Sequence, residues 1–151
     1  MKNKTKKTNK LKNKSIKKKY KKIDVTNQQK SHIIRIMLEM LNVIKLYHWK
    51  TRSYSQHKAT DELYERLNKN VDKFVEVLLG KNESRINMVE KNIHLEDFSN
   101  STDFKEKIYE YRDFLQKITK YFNSNNDTDL LSIRDDILAD INQFLYLFTF
   151  H

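Results

Sequence analysis

The sequence predicts an all-α chain, an antiparallel four-helix bundle behind a basic N-terminal tail. Three observations carry that expectation. In 151 residues there is no proline, one glycine and no cysteine. This excludes turn-rich sandwiches and barrels, glycine-cradled phosphate loops, and every thiolate or disulfide chemistry. Apolar residues recur at helical spacing in four stretches separated by polar ones. The charge is also segregated: residues 1–22 hold 12 lysines and no acid. The other 129 residues carry 18 basic and 20 acidic groups, so the +10 of the whole chain belongs to the tail.

The tail comes first, drawn as residues 1–25. Leu11, Ile16 and Tyr20 are the only large apolar side chains before residue 23. That is too little buried surface to offset the entropy of ordering, so the composition predicts disorder when free. Its lysines are Lys2, Lys4, Lys6, Lys7, Lys10, Lys12, Lys14, Lys17, Lys18, Lys19, Lys21 and Lys22. Such a run binds DNA or another polyanion by counterion release, with strong salt dependence and no sequence preference. Lysine in place of arginine argues against base-specific contacts. There is no apolar run of a secretory signal, no arginine of a transit peptide, and no stretch near the ~20 residues of a membrane span. The expected setting is cytoplasmic or nucleoid-associated, or a virion or viral factory, with no membrane partner and no secretion. The viral alternative rests on a Lys-, Asn- and Ile-rich composition that suggests an AT-rich genome.

Residues 26–150 read as one helical domain. The first helix starts near Thr26 or Asn27, both good caps. It sets Ile34, Met37, Leu41, Ile44 and His48 on one stripe. A polar connection, roughly 51–56, leads to a second helix from about Ser55 to Leu79. Leu63, Tyr64, Leu67, Val71, Phe74 and Leu78 form its core face, and Gly80 stands where a left-handed stop is expected. Residues 81–102 read as a short helix or a packed loop. Asp103 and Glu106 look like a capping box opening the third helix, whose stripe runs Phe104, Ile108, Tyr111, Leu115, Ile118 and Phe122. A polar turn at 123–127 precedes the fourth helix, from Asp127 or Thr128 through Phe148. The long connection falls between the second and third helices.

One constellation carries chemistry. His48 ends the first stripe. On the second helix His57 and Asp61 are four apart, and so are Asp72 and Glu76. Each i, i+4 pair faces one way, and all four stay within about a 100° sector beside the apolar face. Imidazole and carboxylate together suit iron, manganese or zinc. The eleven residues from Asp61 to Asp72 rise roughly 16 Å, and a metal bond is about 2 Å. The two pairs of one chain therefore cannot grip one ion, but they can do so across a two-fold axis with a second copy, two sites per dimer. Taken singly, each residue has a plain structural explanation. His57–Asp61 can be a surface pair, Asp72 and Glu76 solvated groups near Lys69 and Lys73, and His48 a core histidine bonded to a carbonyl. Trp49 reads as a core or interface anchor, and His32, His94 and His151 show no ligand spacing.

The segment YHWKTRSYSQHKATDELYERLNKNVDKFVEVLLG resembles the core of the Dps mini-ferritins. His48–Trp49, His57, Asp61, Asp72 and Glu76 follow that family's order, and NDTDLLSIRDDILADINQFLYLF is similar to its last helix. The resemblance covers about residues 28–80 and 104–150. It implies a ferritin-like bundle, assembled at least as a two-fold dimer and commonly as a hollow dodecamer. By the same resemblance these five residues are ferroxidase ligands shared by two subunits, Fe(II) is oxidised there by peroxide or oxygen, and the lysine tail holds DNA. Two departures stand out. The His48–His57 interval of nine is three shorter than usual in the family and lacks its glycine-bearing loop, and the stretch after Gly80 is atypical where the family usually has a short helix on the two-fold interface. The rival class is a non-enzymatic nucleic-acid packaging or virion structural protein with the same bundle and a degenerate metal site.

Overall fold

The computed structural model describes residues 23–150. The tail lysines and the polyanion contacts expected of them lie outside the described residues, as does His151. The elements are α1 (Asn27–Lys50), α2 (Tyr54–Gly80), α3 (Ser101–Lys117, extended by a 3₁₀ turn at Ile118–Tyr121) and α4 (Thr128–Leu147). No described residue lies in a strand.

Local chemistry sets the helix ends. Thr26 caps α1: its hydroxyl accepts from the Gln29 N–H at 3.2 Å, and the Gln29 side chain accepts from the Thr26 N–H at 2.9 Å. Ser53 caps α2, so that helix starts at Tyr54, one residue earlier than its spacing suggests. The cap of α3 is Asn100, which accepts from the Asp103 N–H at 2.9 Å, and not the Asp103–Glu106 box. Asn takes the extended N-cap conformation readily and leaves Asp103 inside the first turn, where the helix dipole favours an acid. The α-helical part of α3 stops at Lys117, so Phe122 is reached through the tighter turn and is extended, yet buried.

Gly80 is not the left-handed stop. It ends α2 with an ordinary negative φ, and Glu83 carries the positive φ, 50°. Ser84 N–H bonds to Leu79 O at 3.0 Å and Glu83 N–H to Gly80 O at 3.1 Å. This is the Schellman pair of bonds, closed with glutamate where glycine usually sits.

Residues 84–100 form a long crossover beside α1. Near the start of α1, Lys30 donates to Ser84 at 3.4 Å and Asn27 to Asn87 O at 2.9 Å. Further on, Ser31 accepts from the Val89 and Glu90 N–H groups, and Arg35 pairs with Glu90. At the far end of α1, Lys50 meets Asp97 at 2.6 Å. The crossover therefore travels the length of α1, and α3 starts where α1 ends and runs parallel to α2. Helix α4 returns antiparallel to both, packed mainly on α2. Every pair of neighbouring helices is thus antiparallel.

The core fills the space between the four helices. At the end where α1 and α4 finish, Phe104 stacks on Tyr47 (centroids 3.9 Å, 5° between planes) and meets Phe144 and Phe148. At the opposite end Phe122 packs edge-on to Phe74. Ile23 and Val25, which the charge pattern puts in the tail, are buried in this core, and Asn82 donates to Ile23 O at 3.4 Å. Their apolar side chains outweigh the basic context.

Among the described residues three buried charged ones escaped the sequence pattern, Lys30, Glu39 and Asp127, and Glu39 is the most enclosed. Glu39 is only 4% exposed, in the middle of α1. Tyr111 donates to it at 3.2 Å and Arg35 at 3.2 Å, with the Lys107 ammonium at 3.8 Å. Burial and the Glu39 carboxylate push the Tyr111 phenol well up. Lys107 also holds Glu96 and Glu110; burial works against its charge, but these carboxylates raise it on balance. The crossover is thus fastened to α1 and α3 largely by ion pairs. Among the described residues no helix is long and apolar enough to cross a membrane.

Candidate metal centre

The tight corner between α1 and α2 brings His48 and His57 together. Only Thr51, Arg52 and Ser53 separate the helices. Tyr47 donates to Gln56 Oε1 at 2.8 Å and Thr51 to the same oxygen at 2.8 Å, which ties the end of α1 to the first turn of α2. Burial raises the Tyr47 phenol more than the Thr51 contact lowers it, so it stays a donor. The imidazoles stack, with centroids 3.9 Å apart and 24° between planes.

Their hydrogen bonds are reciprocal. His48 Nδ1 lies 3.1 Å from His57 O and 3.3 Å from Thr60 Oγ1. His57 Nδ1 lies 3.0 Å from His48 O. A carbonyl oxygen only accepts, so each Nδ1 carries a proton, and in the neutral ring Nε2 is then the nitrogen with the lone pair. That is the arrangement in which a metal-binding histidine is fixed by a backbone carbonyl behind it. Thr60 is fully buried and donates to Gln56 O at 2.8 Å, which holds it beside His48.

Asp61 completes the near half. Its Oδ1 is 3.7 Å from His48 Nε2. Two ligands each about 2.1 Å from one ion stand roughly 3–4 Å apart, so this spacing fits a shared ion. The short loop does not turn His48 away from Asp61. Lys45 adds a positive neighbour, 3.8 Å from the same oxygen and 4.6 Å above the Tyr64 ring.

The far half is open. Asp72 and Glu76 are exposed on α2, and neither makes an ion pair with Lys69 or Lys73. Among the described residues no three His, Asp or Glu side chains close around a single point. The chain thus brings His48 against His57 on one side and Asp61 on the other, and leaves Asp72 and Glu76 apart, as the rise along α2 requires. Trp49 is no core anchor: it is 71% exposed. Its place at the last turn of α1 turns it outward from the stripe that ends in His48. Gln56 and Thr60, which position the imidazoles, carry no metal-ligand signature in sequence. Their only signal is that they flank His57 on the helix that faces α1.

Fold and site together define an all-helical bundle protein with a two-histidine, one-carboxylate corner. The chain belongs to a family of unknown function, DUF5856, whose model matches residues 48–148 and so spans all five candidate ligands. No curated protein and no solved structure matches it.

Proposed function

We propose that this chain is a ferritin-like, Dps-type protein that takes Fe(II) as substrate at a site completed by two subunits, and holds DNA or another polyanion through its lysine tail. The observation that carries the reading is the reciprocal bonding of His48 and His57 through Nδ1, which turns neither Nε2 to a backbone carbonyl and sets that of His48 3.7 Å from Asp61. Two imidazoles and one carboxylate suit Fe(II), with manganese and zinc as competitors. The single long crossover and the antiparallel neighbours also support it, since one such crossover is the ferritin-like connection.

In this reading His48, His57 and Asp61 of one chain bind iron, and Asp72 and Glu76 of a second chain complete its shell. The carboxylates favour Fe(III) because a hard ligand prefers the higher charge. Two Fe(II) ions each give one electron to hydrogen peroxide, which takes two protons and leaves as two waters. Oxygen is the alternative acceptor. The tail keeps this chemistry near the polyanion. The second reading, a nucleic-acid packing bundle with a degenerate site, is favoured where, among the described residues, no three His, Asp or Glu side chains close around one point.

Mixing separates them. Asp61→Ala and Glu76→Ala, each alone, should lower Fe(II) oxidation by peroxide at least tenfold, by loss of a direct ligand. Refolding the two variants together should restore about a quarter of the wild-type rate, because half the dimers are mixed and each mixed dimer regains one intact site. Wild-type protein that neither binds nor oxidises Fe(II) leaves the packing reading. No recovery on mixing removes the shared site. Replacing the tail lysines by glutamine should flatten the salt dependence of DNA binding under both readings.

A further inference from the structure

The corner that joins α1 to α2 has an outer surface unlike the rest of the body. No Asp or Glu occurs between Glu39 and Asp61, a run of 21 residues and the longest acid-free stretch outside the tail. Within it lie Lys45, Lys50, Arg52 and Lys58. Arg52 and Lys58 are exposed, and no ion pair is formed by either among the described residues. Interleaved with them are Trp49 and Tyr54, at 71% and 76% the two most exposed large hydrophobic side chains of the described body. Among the described residues Tyr54 has no ring partner, and Trp49 has only Lys45, 5.9 Å from its centroid.

We propose that this corner binds single-stranded nucleic acid by stacking unpaired bases on Trp49 and Tyr54 while Arg52 and Lys58 meet the phosphates. Aromatic faces beside unpaired cations are what a sequence-tolerant single-strand site needs: every base has a π-face, and every nucleotide a negative charge. Arg52 and Lys58, exposed and free of ion pairs among the described residues, give the charge complementarity, while Lys50 is held by Asp97 of the crossover. The site differs from the tail in place and in physics. The tail joins the body at Ile23, beside Asn82 and the end of α2, whereas the corner lies at the start of α2. The length of α1 between them is roughly 36 Å. The tail can read phosphates only, while the corner adds a preference for unstacked bases. The site is compatible with the pairing proposed above: Tyr54 lies roughly 19 Å along α2 from the point midway between Asp61 and Asp72, at the rim of such a dimer.

Trp49 is the only tryptophan in the chain and reports directly. Oligothymidylate added to the full-length protein should quench its emission, and an abasic oligomer of equal length, which binds the tail equally, should not. The Arg52→Ala, Tyr54→Ala double variant should shift the quenching midpoint about tenfold, and Tyr146→Ala, at the exposed end of α4, should leave it in place. Equal quenching by the abasic oligomer would overturn the proposal, as would bound oligothymidylate that leaves the emission unchanged. Emission that follows protein concentration and ignores the oligomer would also overturn it, and would assign the corner to contact with a second copy.

Discussion

The two ends of α2 each carry an i, i+4 pair of candidate ligands, His57 with Asp61 and Asp72 with Glu76, and are built in opposite ways. At the first end His57 and Asp61 are half-buried under α1, with both imidazoles fixed by each other's backbone carbonyls. At the other end Asp72 and Glu76 stand in water and are held by nothing but the helix. The comparison teaches that one chain can preorganise only half of such a site. The positioned half costs folding energy and should be sensitive to mutation in the monomer. The open half is almost free in the monomer and gains meaning only from what packs against it.

The sharpest way to break the contrast is to loosen the first end. Phe104→Ala removes a fully buried ring between Tyr47 and Phe148. It should cost about 3–5 kcal/mol in urea unfolding and free the His48 ring, seen as an altered imidazole chemical shift. Thr60→Val keeps the shape but removes one partner of His48 Nδ1 and a buried hydroxyl that two carbonyls share. A loss of about 1–2 kcal/mol is expected.

The other end allows gains. Glu83→Gly relieves the positive φ of an L-residue and should add up to about 1 kcal/mol, measured by the same unfolding curves. Lys81 ties the end of α2 to the start of α4 through Asp127 at 3.0 Å and Asp129 at 2.8 Å. Burial alone would lower Lys81 and raise Asp129, but the ion pairs outweigh it, so Lys81 is raised and Asp129 lowered. The sign follows. The contribution of Asp129 is present above the ordinary Asp range and fades as pH falls through its depressed pKa. That of Lys81 is present below the ordinary Lys range and fades as pH rises through its raised one. The Tm gap between wild type and Lys81→Met should therefore be widest from about pH 5 to 10 and worth up to about 1 kcal/mol. Smallest of all, Asp72→Asn and Glu76→Gln should change monomer stability by no more than about 0.5 kcal/mol. A larger loss at high protein concentration alone would show a partner resting on them.

The helices were legible because their stripes are long and their breaks polar. The near half of the candidate site was legible only in part: the spacing singled out His48, His57 and Asp61, but the short interval of nine from His48 to His57 left open which way His48 turns, and packing at the corner decides it. Two things hid. Glu39 sits among Leu38, Met40 and Leu41, and a lone acid inside an apolar run is a signal of a buried charge, but its partners Arg35, Lys107 and Tyr111 are set by tertiary packing. The stop of α2 was misread because glycine dominates left-handed positions only on average, and here the chain reaches its Schellman bonds three residues later. For Trp49 only the core half of the expectation fails, because a large apolar side chain says how much surface it has, not what will cover it.

The crossover also divides the molecule by connectivity. It joins one helical hairpin, α1 with α2, to another, α3 with α4, and Val89, Ile93 and Leu95 along it are exposed. The interior is shared by the two hairpins, whereas the link between them contributes mainly ionic fastenings. A protease nick near residue 93 should therefore yield two fragments that remain associated, and separately made halves should find each other and rebuild one bundle.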